Sequence, residues 1–282
     1  MNNKITAQFG LILVTIIWGI TFVLVKQALN DAAPFSFATL RFGLATILTM
    51  ALINRKLLQL TKIEIIGGII CGFFLFLGYS FQNFGLMNTT ASKSAFITSI
   101  SVLLVPILLI IFKLQQVQVR IWIAVLIATV GLYILILPGG EELNIGDILT
   151  SACALSFAIH IIFQDIYIKK NIRLLPFFCV QSGFVTLLSF LNVQIFEPQA
   201  IIWSDRLFAA IILTGFLATF AAFLIMIWAQ KILNPSETAI IFSFEPVAAA
   251  LFATAFGGEI LGLWGWIGGG LVFLAVAYGK SG

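Results

Sequence analysis

Ten uninterrupted apolar runs, each about as long as a bilayer is thick, leave this chain little choice of fold. They fall at about residues 7–28, 35–53, 63–87, 91–112, 119–137, 147–168, 174–196, 206–229, 236–257 and 260–279. A spanning helix needs roughly 20 mostly apolar residues to cross the hydrocarbon core. The runs are continuous rather than alternating, and far longer than the roughly 9–11 residues of a barrel strand. Turn-forming residues separate them, among them Asn30-Asp31 before Pro34, Asn88-Thr89-Thr90, Pro138-Gly139-Gly140 and Asn234-Pro235. Ten such helices use roughly 200 residues, which leaves short connections in a chain of 282. The expectation is an all-α integral membrane protein with ten transmembrane helices and no separate soluble domain.

Composition excludes the other classes. The chain is 61% apolar and 9% charged, with a mean hydropathy of +1.13. A soluble domain is about half apolar and about a quarter charged, and a disordered chain is more polar still. The net charge of +4 would hint at nucleic acid in a soluble protein. Here the basic residues sit in short connections, where they set orientation, so no nucleic-acid partner is expected. Cys71, Cys153 and Cys179 all lie inside apolar runs, without CxxC spacing. They read as packed side chains, with no disulfide, metal or other cofactor expected.

Orientation follows from lysine and arginine. With both ends of the chain inside, eleven fall on the inner side: Lys4, Arg55, Lys56, Lys62, Lys113, Arg120, Lys169, Lys170, Arg173, Lys231 and Lys280. Lys26, Lys93 and Arg206 fall outside, and Arg41 lies within a span. The inner face of a membrane protein is the basic one, so a multi-pass protein of the cytoplasmic membrane with cytoplasmic termini is expected. The first run is of spanning length without a small-residue cleavage site, so it reads as a helix rather than a cleaved signal.

The sequence also resembles itself. Residues 84–95 match residues 228–239 at an offset of 144, pairing Ser92 with Ser236 and Ala95 with Ala239. Ser99 meets Ser243 at the same offset, and Pro34-Phe35 meets Pro176-Phe177 at 142. The spans divide five and five, giving repeats over 1–140 and 141–282. Five is odd, so the second repeat enters the membrane from the opposite side. Two inverted halves can expose a midplane site to each side in turn.

Several short motifs carry a family likeness. They are Trp18-Gly19-x-x-Phe22-x-x-x-Lys26, Leu40-Arg41-Phe42, Thr90-Ala91-Ser92-Lys93-Ser94-Ala95, Pro235-Ser236-Glu237-Thr238-Ala239 and Ser243-Phe244-Glu245-Pro246. In order and spacing the chain resembles the EamA-type transporters of the drug/metabolite transporter superfamily. The resemblance implies a five-plus-five inverted repeat, a cavity lined by spans 1–4 and 6–9, peripheral spans 5 and 10, and movement of a small metabolite, often outward. It names no one substrate, since the family carries amino acids, nucleobases, sugars and drugs. One departure is that Ser101 stands where a symmetric partner of Glu245 would be.

A charge at the centre of a span costs roughly 2.5–3.5 kcal/mol on insertion scales, so such residues face protein or water. Glu245, mid-span in the ninth run, reads as a proton site or a contact for a substrate amine; the alternative is a neutral acid bonded to a neighbouring helix. His160, the sole histidine, reads as a hydrogen-bonded core residue or a proton carrier, with Gln164 one turn on. Arg41 either snorkels to the headgroups or serves as a gate or anion contact. Ser94, Thr98 and Ser101 form one helix face, repeated at offset 144 by Thr238, Phe242 and Glu245. Tyr79, Gln82, Asn83 and Gln181 add polar groups, and Trp18 and Trp228 offer stacking surfaces. A solute is expected between spans 3, 4, 6, 8 and 9. Gly265 and Gly269 suit close packing of the last helix, on its repeat or on a second copy in a homodimer.

The favoured function is a secondary transporter of a small solute by alternating access. No G-x-x-x-x-G-K-[ST] run supplies nucleotide chemistry. The alternatives are a channel or lipid-handling protein and, further off, an intramembrane enzyme, for which no nucleophile–histidine or paired-carboxylate set is seen.

Overall fold

The computed structural model describes residues 3–53, 59–136, 144–256 and 262–280. All its regular structure there is helical. The helices are α1 (Asn3–Ala28), α2 (Pro34–Leu52), α3 (Lys62–Leu86), α4 (Ala91–Ile111), α5 (Val119–Ile136), α6 (Ile145–Ile168), α7 (Leu174–Phe196), α8 (Asp205–Gln230), α9 (Pro235–Ala255) and α10 (Leu263–Lys280). Eight are long and apolar enough to cross a membrane, and α5 and α10 are the two shorter apolar ones. The expected repeat boundary at 140/141 lies outside the described residues, as do Arg55, Lys56, Glu141, Glu142 and Glu259.

Large apolar side chains such as Ile47, Leu126, Phe190 and Ile195 point outward, while Arg41, His160, Gln164 and Glu245 are buried. That distribution suits a surface bathed in hydrocarbon rather than water. The helix starts are locally encoded. Thr61, Asn144 and Asn234 each form a reciprocal capping box, with Glu64, Asp147 and Glu237. The start of α2 has no side-chain cap of its own. Glu197, at the end of α7, supplies one: its carboxylate accepts from the backbone N–H groups of Phe35 and Ser36, both at 2.8 Å.

Helix packing interlocks the two repeats. Helix α3 lies along α6 and α7, and α4 rests on α6. In the symmetric arrangement α8 lies along α1 and α2, and α9 rests on α1. Two four-helix bodies can be drawn, α3, α4, α6 and α7 in the first and α1, α2, α8 and α9 in the second, and they join one another along an extensive α2–α7 contact. Each body mixes both repeats. Helices α5 and α10 pair with one another outside them. A Cβ on Gly131 of α5 would lie 2.8 Å from the carbonyl of Gly268 in α10. Gly265 and Gly268 are buried, so that face of α10 is occupied within the chain.

Ion pairs bind each body at both ends, with signs exchanged between repeats. Lys4 pairs with Glu237 at 2.9 Å and Lys93 with Asp147 at 2.8 Å. Arg173 pairs with Glu64, and Arg206 with Asp31, each at 2.6 Å. By repeat position Lys4 corresponds to Asp147, Lys93 to Glu237, Asp31 to Arg173 and Glu64 to Arg206. Attraction survives when both signs are exchanged, so either repeat can supply either charge.

Asp31 lies between α1 and α2, outside the spans. Hydrogen bonds from the Arg206 guanidinium and the Ser204 hydroxyl hold its carboxyl below the usual carboxylate range. A lowered folded-state value contributes stability above the ordinary carboxylate pKa, and that contribution fades as pH falls through the lowered value. Asp31→Asn should therefore melt lower than the parent at pH 7. The gap should close below about pH 4, where the unfolded carboxyl protonates; thermal unfolding in detergent across pH measures it.

Candidate functional site

The site forms where two helices break at equivalent points. Helix α4 is interrupted after Thr98, resuming at Ser101; α9 is interrupted after Phe242, resuming at Glu245. From the sequence each is a single span, in which Pro106 and Pro246 either free backbone carbonyls toward a cavity or form packing kinks. At each break a serine hydroxyl turns back on its own helix: Ser99 Oγ donates to Ala95 O at 3.0 Å, and Ser243 Oγ to Ile240 O at 2.6 Å. Such back-bonding competes with the helical ladder. Pro246 adds to this by having no N–H to donate. Ser101 and Glu245 thus open the second half-helices at matching positions, midway along their spans.

A third irregularity has no counterpart in the first repeat. Leu213–Ala221 of α8 is π-helical. The wider turn frees backbone groups, which is why such stretches often mark functional sites. Here the carbonyl of Ala218 accepts from Trp18 Nε1 at 2.8 Å, and the hydroxyl of Thr219 accepts from Arg41 Nε at 2.7 Å.

Between the two bodies lies a constricted cavity with about 40 Å³ open to the centres of water molecules. The first body presents Tyr79, Gln82, Thr98, Ser101, Phe157 and His160. The second presents Trp18, Phe22, Arg41, Phe223, Phe242 and Glu245. Helices α1 and α2 join the five expected to border a solute, while α5, α10 and, against the resemblance, α7 contribute no lining residue.

Arg41 is 2% exposed, so it does not snorkel. Its guanidinium sits 4.4 Å above the Tyr79 ring, and one terminal nitrogen donates to the Tyr79 hydroxyl at 3.2 Å. That bond crosses from one body to the other. Glu245 is 8% exposed. Among the described residues its carboxyl has no hydrogen bond or ion pair to protein, so no neighbouring helix ties it down; it opens onto the cavity. His160 is held by Gln181, whose Oε1 lies 3.1 Å from Nε2, and by the edge of Phe223.

Five residues singled out from the sequence do not line the cavity. Asn83 donates to the carbonyl of Pro34 at 3.2 Å. Gln164 donates to Gln230, one turn beyond His160. Gln181 stands behind His160 rather than beside the space. Ser94 is fully buried at the start of α4. Trp228 packs on α1, where a Cβ on Gly10 would meet its ring at 3.5 Å. Lys26 and Asp165 do not meet: Lys26 donates to Thr89 O, and Asp165 pairs with Lys169, each at 2.6 Å. Phe157 was missed. Phe223 carries no signal in a chain with 28 phenylalanines. Cys71 and Cys153 are buried and all three thiols are free. Among the described residues no cluster of histidine, cysteine and acid could hold a metal ion.

Paired inverted repeats, broken mid-membrane helices and a polar cavity between two mixed bodies define a polytopic membrane transporter. The EamA-like transporter family model matches the chain twice, over residues 5–137 and 144–278, and the chain belongs to that family. It is 36% identical over 275 residues to an "uncharacterized transporter" of Archaeoglobus fulgidus, covering 97% of this chain and 85% of that one. It is 26% identical over 260 residues to the "uncharacterized transporter YoaV" of Bacillus subtilis, covering 88% and 87%. One crystal structure, 17% identical, superimposes with a TM-score of 0.79 over 97% of this chain and 96% of that one. At that identity the likeness concerns the fold alone.

Proposed function

We propose that the chain is a secondary carrier that moves a small organic solute, such as an amino acid or nucleobase, across the cytoplasmic membrane by alternating access. The observation that carries this reading is the cavity at the two helix breaks, bordered by charge on one body and by hydroxyls and His160 on the other. The bodies are related by exchange of repeats, so a rotation that opens one end has a mirror motion that opens the other. The end ion pairs lie within bodies, not between them, and keep each one rigid as it turns. The excess of lysine and arginine on one side supports an orientation with both termini in the cytoplasm. Outward movement is the direction that the family resemblance favours.

Counterflow in proteoliposomes tests the reading. Vesicles preloaded with unlabelled solute should transiently concentrate labelled solute above its outside level. Downhill flux without this overshoot would replace the carrier with a channel. Loss of the pH dependence of counterflow in Glu245→Gln would mark proton coupling through Glu245 and His160, which line facing walls.

A further inference from the structure

The cavity is closed at both ends, and the two closures are built from different chemistry. At the outer end a cleft with about 390 Å³ open to the centres of water molecules lies where α1 and α3 end and α4 begins, bordered by Val23, Lys26, Leu86 and Thr90 among others. At the inner end a cleft of about 350 Å³ lies where α6 and α8 end and α9 begins, bordered by Asp165, Ile168, Gln230 and Asn234 among others. The two clefts are repeat images. At an offset of 142 on α1 and 144 on α3 and α4, Val23 corresponds to Asp165, Lys26 to Ile168, Leu86 to Gln230 and Thr90 to Asn234. The same offsets pair Trp18 with His160 and Tyr79 with Phe223 in the cavity.

What stands between cleft and cavity differs at the two ends. The outer seal is Phe22 and Leu86, 3% and 1% exposed, in one apolar cluster with Val25, Ala91 and Ala95. The same two positions at the inner end are Gln164 and Gln230, joined by a hydrogen bond. That bond uses one amide donor and one acceptor. Gln164 Oε1 and Gln230 Nε2 are buried with no hydrogen-bond partner among the described residues, as is Oδ1 of Asp165, next along α6. Turning both amides over leaves one donor and one acceptor spare just the same. Each end also has one lysine tie to a backbone carbonyl, from Lys26 to Thr89 at 2.6 Å and from Lys231 to Ile172 at 3.1 Å. The ties are alike in kind, so the seals carry the difference.

A buried polar group without a partner costs free energy that water returns. Parting α6 from α8 hydrates three such atoms. Parting α1 from α3 wets Phe22 and Leu86, which the hydrophobic effect opposes. Resting on the carrier reading above, we infer that the protein without solute opens to the cytoplasm far more readily than to the outside, with Gln164 and Gln230 as a hydratable inner gate and Phe22 and Leu86 as the firmer outer one. The clefts beyond the two gates are otherwise images of each other, so exchanging the two pairs should exchange the preference.

A thiol placed in the cavity reads which end opens. The closed cavity is too small for a reagent, so Ser101→Cys reacts with a membrane-impermeant methanethiosulfonate only when a seal parts. Right-side-out and inside-out vesicles present the reagent to one face each, and the parent chain gives the background from Cys71, Cys153 and Cys179. Labelling from the cytoplasmic face should be at least ten-fold faster than from the outer face. Gln164→Phe with Gln230→Leu, which copies the outer pair, should slow inner labelling at least five-fold. Phe22→Gln with Leu86→Gln, which copies the inner pair, should speed outer labelling at least five-fold. Both members change together because a lone glutamine would leave its whole amide unpaired; where one double variant fails to fold, the other decides. Equal rates from the two faces, a faster outer rate, no labelling from either face, or rates that neither exchange moves would each overturn the inference, and with counterflow intact the carrier would stand. A ten-fold preference for the cytoplasmic face, with flux but no counterflow, would keep the gate and sink the carrier.

Discussion

Gly19→Ala should lower the melting temperature of the detergent-solubilised protein by several degrees, while Gly43→Ala leaves it level or raises it slightly. Both glycines sit inside spanning helices, where alanine is intrinsically favoured by up to about 1 kcal/mol. Their surroundings differ. A Cβ on Gly19 would stand 2.8 Å from the backbone N of Ala249, 2.9 Å from the carbonyl of Glu245 and 2.7 Å from the Cβ of Ala248. Backbone atoms cannot rotate away as a side chain does, so α1 and α9 must separate. A Cβ on Gly43 would meet only a methyl of Thr186, at 3.6 Å. Overpacking costs roughly 1–3 kcal/mol, occasionally more; at about 2–4 °C per kcal/mol for large domains, the Gly19 change should be easily read. The contact also lies at the α9 break, so moving α9 shifts Glu245 against Arg41. Equal melting of the two variants would show that α1 does not approach α9 this closely.

Arg41→Lys should cut counterflow at least ten-fold and leave the melting temperature within a few degrees of the parent. Lysine keeps the charge but not the planar fork. Its single ammonium cannot hold Thr219 and Tyr79 in the guanidinium's geometry while presenting a further planar donor to the cavity. A hydrogen bond to a charged group is worth about 1.5–3 kcal/mol, and each 1.4 kcal/mol is ten-fold in affinity. Thr219→Val removes one positioning bond and keeps the fork, so a loss of a few-fold is expected. Equal transport by Arg41→Lys and the parent would reduce Arg41 to a mere positive charge.

The short motifs acquire separate physical roles. In the first span Trp18 bonds the π-helical stretch, Gly19 admits α9, Phe22 lines the cavity and Lys26 bonds Thr89. In the ninth, Asn234 and Glu237 cap the helix, and Glu237 also binds Lys4. Ser243 and Pro246 then break it. These devices are local and readable, because caps, prolines and glycines act over one or two turns. The serine stripe was half readable: Thr98 and Ser101 reach the cavity, while Ser94, one turn earlier, is buried away from it.

The membrane class, the number of helices and their division into inverted repeats were determined by the sequence alone. Crossing hydrocarbon is a one-dimensional demand: about 20 apolar residues in a row, satisfied span by span. The partners of each polar side chain were decided only in three dimensions. Arg41 reads equally as a snorkelling cation until α3 brings Tyr79 beneath it and the widened turn of α8 brings Thr219, 178 residues away. Gln164 shares a helix face with His160, yet only His160 reaches the cavity. Lipid asks each helix merely to be apolar; which way it turns, and which distant helix it meets, is settled by close packing at glycines and by buried polar groups seeking partners.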